Sequence, residues 1–258
     1  MTALLVRAIR QPDWSGAVYG SAQMLSGPFL MAVSALMAMA CLRDRSPIAE
    51  DAPVSPRHRT VARLLAGVPF VVVMAAVVAP VAIWLRRAGG LDLGDEPGRT
   101  LHAHFTVPEL LQPVVLTALA VALGAAVARV VRNRLGAVTV LFVLWFMSSL
   151  MYWALNGPTG RFFALVQSQP ITARAGSMYD DPTTFPSSWL LSAPGQYQDF
   201  WGRIVVSPSL AAWHDVYLVG LAALFAGIAL RGRSGRMLMA AGLLVAVIGV
   251  VLQKAVHP

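Results

Sequence analysis

Six long apolar runs constrain this chain more than any other feature. They lie at about Val18–Leu42, Val61–Leu85, Val107–Val130, Gly136–Leu155, Ser209–Leu230 and Met237–Leu252. A bilayer core about 30 Å thick requires about 20 mostly apolar residues per helix. Barrel strands would instead alternate apolar and polar residues over about ten positions. These runs are continuous, so the chain reads as all-α. The expected fold is a polytopic membrane protein, residues 1–258 forming one transmembrane domain of six helices. Charged residues make up 12% of the chain, against roughly 25% in soluble domains.

The arginines orient these helices. Eleven of the twenty basic residues fall in or beside three short connections: Arg43, Arg45, Arg57, Arg59 and Arg63; Arg129, Arg132 and Arg134; Arg231, Arg233 and Arg236. Only Asp44, Glu50 and Asp51 accompany them, so these connections carry the whole net charge of +8. Short loops rich in Lys and Arg stay cytoplasmic. The basic balance is therefore a topology signal in a lipid bilayer, and no nucleic-acid partner is expected. Six crossings put both termini outside a plasma membrane, although Arg7 and Arg10 pull the first end the other way. The first apolar run is too long for a signal-peptide core, and no small-residue cleavage site follows it.

Several chemistries are excluded. The single lysine, Lys254, sits between Gln253 and Ala255, so the chain has no Gly-x-x-x-x-Gly-Lys-Ser/Thr phosphate loop. It binds no ATP of its own by that motif. Cys41 is the lone cysteine, which rules out an intrachain disulfide or thiol metal cluster. His102 and His104 stand at i, i+2 without neighbouring ligands, so no metal site is expected. His214 and Asp215 are adjacent and point to different faces of a helix. No catalytic residues are assigned, and the chain is not read as an enzyme. The middles of the apolar runs hold no Asp, Glu, Lys or Arg, which argues against ion-coupled transport.

Four regions carry the functional expectations. In the first run, Gln23, Ser26 and Pro28 lie in a polar outer half. They read either as small-residue packing or as a pathway-facing kink at Pro28. The inner loop over residues 43–60 has an apolar side between charged flanks, and Ser55-Pro56 signals a helix start. The segment 156–208 is too polar to span yet rich in aromatics, including Phe162, Trp189 and Trp201. It reads as a folded outer cap of short helices, serving as a structural lid or a substrate-contacting vestibule. Trp145, Phe146, Tyr152 and Trp153 suggest an outer aromatic belt. His214 opens the fifth helix beside that cap, and Gly242 and Ala246 are spaced for close helix packing in the sixth.

The runs Leu42–Arg45, Ala52–Ala66, Val107–Gln112 and Ser207–Leu221, in this order, resemble the permease subunits of actinobacterial ABC-2-type exporters. These permeases carry a similar Arg-Asp-Arg, an acidic patch and Pro-Val-Ser-Pro-Arg between two helices, and a Trp-His-x-x-Tyr-Leu segment opening a late helix. This chain departs from them in reading Ser46–Asp51 where a Gly-Thr-Glu-Glu-Leu run is usual. The resemblance implies a membrane permease subunit served by a separate ATPase that holds ATP and Mg, with a second permease chain, the same or related. It implies a coupling site at Glu50, Asp51, Pro53, Val54, Ser55, Pro56 and Arg59. Gln23, Ser26, Pro28, Phe162, Trp189, Trp201 and His214 become pathway candidates for a hydrophobic or amphipathic cargo. The competing expectation is a non-transporting membrane scaffold that binds partners through its aromatic outer cap.

Overall fold

The computed structural model describes residues 26–43, 55–88, 106–154, 160–163, 165, 172–175, 203–206, 208–230 and 232–256. Seven α-helices dominate them: α1 (Gly27–Arg43), α2 (Pro56–Ala66), α3 (Val68–Arg87), α4 (Val107–Val130), α5 (Arg134–Ala154), α6 (Pro208–Leu230) and α7 (Gly232–Val256). Between α5 and α6 lie a 3-10 turn, Gly160–Phe163, and an antiparallel pair of short strands. Strand β1 (Thr172–Ala175) pairs with β2 (Arg203–Val206), Thr172 opposite Val206. The expected outer cap of short helices thus contains a strand pair.

Four helical stretches are long and apolar enough to cross a membrane: Arg57–Trp84, Val107–Val130, Pro208–Leu230 and Gly232–Val256. Gly27–Arg43 and Arg134–Ser148 are shorter apolar helices. The architecture is consistent with a multi-pass membrane protein.

Local chemistry sets the helix ends. The first described helix starts at Gly27, where the Ser26 carbonyl accepts the Leu30 N–H at 3.0 Å; residues 18–25 of the expected run lie outside the described residues. Pro28 sits in its first turn, where its missing N–H removes no helical bond, and it is exposed. It does not kink the helix. The expected second helix is two, joined at Gly67. Pro69 lacks the N–H that a continuous helix would direct at the Leu65 carbonyl. The chain tightens there, with Gly67 N–H to Leu64 O and Phe70 N–H to Gly67 O, both 3.1 Å. At the α4–α5 turn, the Asn133 side-chain oxygen accepts the Gly136 N–H. Gly232 takes a left-handed φ of 68°, which lets the chain reverse between α6 and α7.

Helix α4 is the centre. It is apolar on all sides, as a helix surrounded by others must be, and Leu116, Leu119 and Ala120 are fully buried. It packs against α6, α1 and α3; α5 leans chiefly on α1. Outside this core the polarity is that of a lipid-facing surface: Val72, Val73 and Val77 on α3, Phe142 and Phe146 on α5, and Leu243, Leu244 and Val251 on α7 are exposed. Surface of this extent and composition suits hydrocarbon and is unusual against water.

Close backbone approach holds α6 to α7. A Cβ on Gly242 would come within 2.5 Å of Leu224 N, and one on Gly249 within 2.7 Å of Tyr217 Cα. The expected Gly242/Ala246 packing is therefore present, with Gly220 as its partner on α6. Gly124 on α4 likewise sits against the Ser34 carbonyl of α1. Ser34 is a three-helix node. Its hydroxyl donates to Met31 O at 2.9 Å and accepts from Trp145 Nε1 at 3.0 Å. Trp145, expected in the aromatic belt, is instead buried between α5 and α1. Ser34→Ala removes the acceptor of the buried Trp145 Nε1. It should lower stability by about 0.6–1.7 kcal/mol, the range for hydrogen bonds between membrane helices, read as a reduced unfolding midpoint.

Candidate functional site

Two regions gather functional side chains, at opposite ends of the bundle. Helices α4 and α6 pack along one another, and the Glu109 charge bears on Asp215, which puts their N-terminal ends at the same end of the bundle. Antiparallel α7 brings Gln253 to the same end, against His214. The opposite end therefore collects Arg129 at the close of α4, Arg132 and Arg134 at the α4–α5 turn, and Arg233 and Arg236 at the start of α7. The arginine connections that orient the sequence share one face of the fold.

At the arginine-rich end, α2 forms a short basic helix carrying Arg57, Arg59 and Arg63. Ser55 caps it: its hydroxyl accepts the His58 N–H at 3.3 Å and contacts His58 Nδ1 at 2.8 Å. Pro56 occupies the first turn, as expected. Arg63 donates from Nη1 to the Ala40 carbonyl of α1 at 2.9 Å. That bond ties α2 to the end of α1 and satisfies a carbonyl left open by helix termination. Arg59 is half-buried. Glu50, Asp51, Pro53 and Val54 lie outside the described residues.

At the other end, polar side chains converge inside the bundle. The Glu109 carboxylate accepts the Thr106 N–H at 2.7 Å and the Thr106 hydroxyl at 2.8 Å, closing the first turn of α4. Glu109 and Gln112 are each 1% exposed, and their i, i+3 spacing puts them on one face. Pro113 withdraws the N–H that would otherwise bond the Glu109 carbonyl. Thr117 bonds back to Pro113 O at 2.8 Å.

His214 and Asp215 diverge from α6, as their adjacency requires. His214 is fully buried and turns to α7, where its Nδ1 meets Gln253 Oε1 at 3.1 Å. Gln253 Nε2 donates to Phe162 O at 3.4 Å and to Gly249 O at 3.3 Å. Its Oε1 is thereby the acceptor, and His214 Nδ1 carries the proton. The Leu165 backbone lies beside the imidazole. Tyr217, tilted against His214 with centroids 5.6 Å apart, donates to Phe163 O at 2.8 Å. Two carbonyls of the 3-10 turn are thus held by the α6–α7 pair. Asp215 leaves the helix on a different side and is half-buried.

Of the pathway candidates, the structure brings together Phe162 and His214. Ser26 is buried and Pro28 exposed, both at the start of α1; Gln23, Trp189 and Trp201 lie outside the described residues. The sequence reading set Asp215 aside as a catalytic partner of His214, and did not single out Glu109, Gln112 or Gln253 as site residues. A usable signal existed for Glu109: Thr-x-x-Glu opening an apolar run marks a capping pair. Gln253 fell one residue beyond the expected end of the last helix. The absence of acids from the middles of the runs stands, but two acids sit inside the bundle near its end. No group of three or more His, Cys, Asp or Glu suited to a metal occurs among the described residues.

Compared with protein-family models, curated proteins and solved structures, the chain matches none.

Proposed function

We propose that this chain is the membrane-spanning permease subunit of an ATP-driven exporter, served by a separate ATPase and acting with a second permease chain. The observation that carries this reading is α2. It is a capped, arginine-bearing helix at the basic end, pinned to α1 through Arg63 and Ala40 and continuous through the Gly67 elbow with a span-length helix. A displacement of α2 is therefore transmitted directly to α1 and α3, and α3 packs on the central helix α4. Rigid-body and hinge movements of packed helices are among the ways a bundle switches between two states. The coupling contact falls on Glu50, Asp51, Pro53, Val54, Ser55, Pro56 and Arg59, and the cargo is hydrophobic or amphipathic. The protein resides in the plasma membrane with both termini outside.

The test is purification of the tagged full-length chain in mild detergent, with mass spectrometry of its companions. The expected result is a stoichiometric soluble protein bearing a phosphate loop. That protein should be depleted at least tenfold by Glu50→Ala with Asp51→Ala, and retained by a variant altered on the opposite face. Recovery of membrane or outer-surface partners without any ATPase would overturn the permease reading and favour the scaffold.

A further inference from the structure

We infer that the two hairpin turns at the basic end, residues 130–135 and 232–237, bind an anionic phospholipid whose phosphate is held by Arg132, Arg134, Arg233 and Arg236. The inference rests on the placement of the chain in a bilayer and not on the permease reading.

Chain geometry puts both turns at one end of the bundle. Helix α5 has 21 residues and rises about 30 Å from the α4–α5 turn. Only residues 155–159 separate its last residue, Ala154, from the 3-10 turn at Gly160, a reach of about 22 Å at most. That is too short to return along α5. Gln253, in the last turn of α7, donates to Phe162 O of that 3-10 turn. The start of α7 therefore lies at the end from which α5 rises. Helices α4 and α6, which lead into the two turns, pack along one another, and packed helices lie about 8–10 Å apart. The turns are neighbours.

Their chemistry matches one class of partner. Arg132, Arg134, Arg233 and Arg236 are all exposed, and the described acids, Glu109 and Asp215, stand at the opposite end. The sequence has no acid between Glu109 and Asp180 and none after Asp215, so neither hairpin supplies one. Asp44, Glu50 and Asp51 belong to the first inner connection. Every basic residue of both turns is arginine. A guanidinium fork binds phosphate through two parallel hydrogen bonds, where an ammonium offers only a point charge. Apolar side chains stand beside the forks: Val130 is 76% exposed, Leu135 79% and Met237 65%. A free phosphate ion gains nothing from such neighbours, whereas an acyl chain covers them and removes apolar surface from water. Phosphate joined to hydrocarbon is a phospholipid, and a net negative one gains most from a cluster of arginines at a helix-end surface.

The experiment uses the full-length protein in a neutral detergent. It is titrated with phosphatidylglycerol, with phosphatidylcholine of the same acyl chains, or with inorganic phosphate. A ligand that binds the folded state raises the unfolding midpoint in a saturable manner. Phosphatidylglycerol should do so at a concentration at least tenfold lower than either comparison. A basic residue near an anionic surface contributes about fivefold. Arg132→Gln with Arg134→Gln, and Arg233→Gln with Arg236→Gln, should therefore each weaken the apparent affinity at least tenfold. Arg86→Gln with Arg87→Gln removes the same charge from the exposed far end of α3 and should leave the affinity unchanged. If the basic-end variants fail to fold, wild type is irradiated with a phosphatidylglycerol carrying a photoreactive headgroup. Crosslinks should then fall on residues 130–135 and 232–237. Equal shifts with the two lipids, a shift reproduced by inorganic phosphate, or crosslinks confined to other segments overturn the inference. An equal loss in the Arg86 and Arg87 variant overturns it as well, because the response is then to net charge alone.

Discussion

Gly220→Leu should abolish recovery of folded protein, whereas Gly27→Leu should be tolerated. A Cβ on Gly220 would lie inside the backbone of α7, in contact with Ala246 N and 2.7 Å from both Ala246 Cα and Gly242 O. Ordinary core overpacking costs about 1–3 kcal/mol because side chains rotate away. Here the obstacle is main chain, fixed by its own helical bonds, so the helices themselves must separate. Separation would also undo the neighbouring approaches of Gly242 to Leu224 and of Gly249 to Tyr217, which lie along the same seam. In a membrane the association of helices rests on such packing, since lipid tails are as apolar as Leu. Gly27 has nothing within 4 Å of its virtual Cβ and isolates the effect of side-chain size. The measurement is the monodisperse yield on size exclusion in detergent. A symmetric peak for Gly220→Leu at wild-type yield would show that α6 and α7 are not apposed through this seam.

That seam was legible in the sequence through small residues four apart in the last helix. So were most helices, because a run of apolar residues about 30 Å long has few alternatives. Val107–Val130 was expected, and α4 occupies the same residues. Helix interruptions were less legible. Pro69 and Pro80 look alike in the sequence, but only Pro69 has a glycine, Gly67, two residues before it. The chain divides at Gly67 and runs through Pro80 as one helix.

Facing direction was the hardest property to read. Trp145 and Phe146 are neighbours in an aromatic stretch, yet one is enclosed beside Ser34 and the other stacks outward on Phe142, centroids 5.8 Å apart. Helix α5 is apolar enough on both sides that periodicity does not choose between them. The polar cluster escaped for a related reason. Glu109 and Asp215 each stand near a helix start, where an acid is favoured by the dipole and needs no further explanation. Their placement at one end of the bundle depends on α4 and α6 packing side by side, although α5 and the segment 155–207 separate them in sequence. The arginine loops stayed legible because charge at a helix end is read one connection at a time.

Replacing Gln253 by Leu should release the Gly160–Phe163 turn from the bundle. Gln253 is fully buried and joins three partners: His214 Nδ1, the Phe162 carbonyl and the Gly249 carbonyl of its own helix. Leu has similar bulk and no polar atoms, so packing is largely kept while the His214 donor and the Phe162 acceptor lose their bonds. Each orphaned buried group costs about 1–3 kcal/mol, and the Gly249 carbonyl retains its helical role. Tyr217→Phe deletes one bond, to Phe163 O, and should have the smaller effect. The discriminating measurement is amide hydrogen exchange, because it separates local release from global loss of stability. In Gln253→Leu, protection should fall at Gly160–Phe163 and in the last turn of α7, and remain at the α6–α7 turn around Gly232. The double variant Gln253→Leu with Tyr217→Phe should leave the turn with exchange rates approaching those of an unstructured chain. If protection at Phe162 and Phe163 is unchanged in both variants, the turn is held to α6 and α7 by contacts other than these carbonyl bonds.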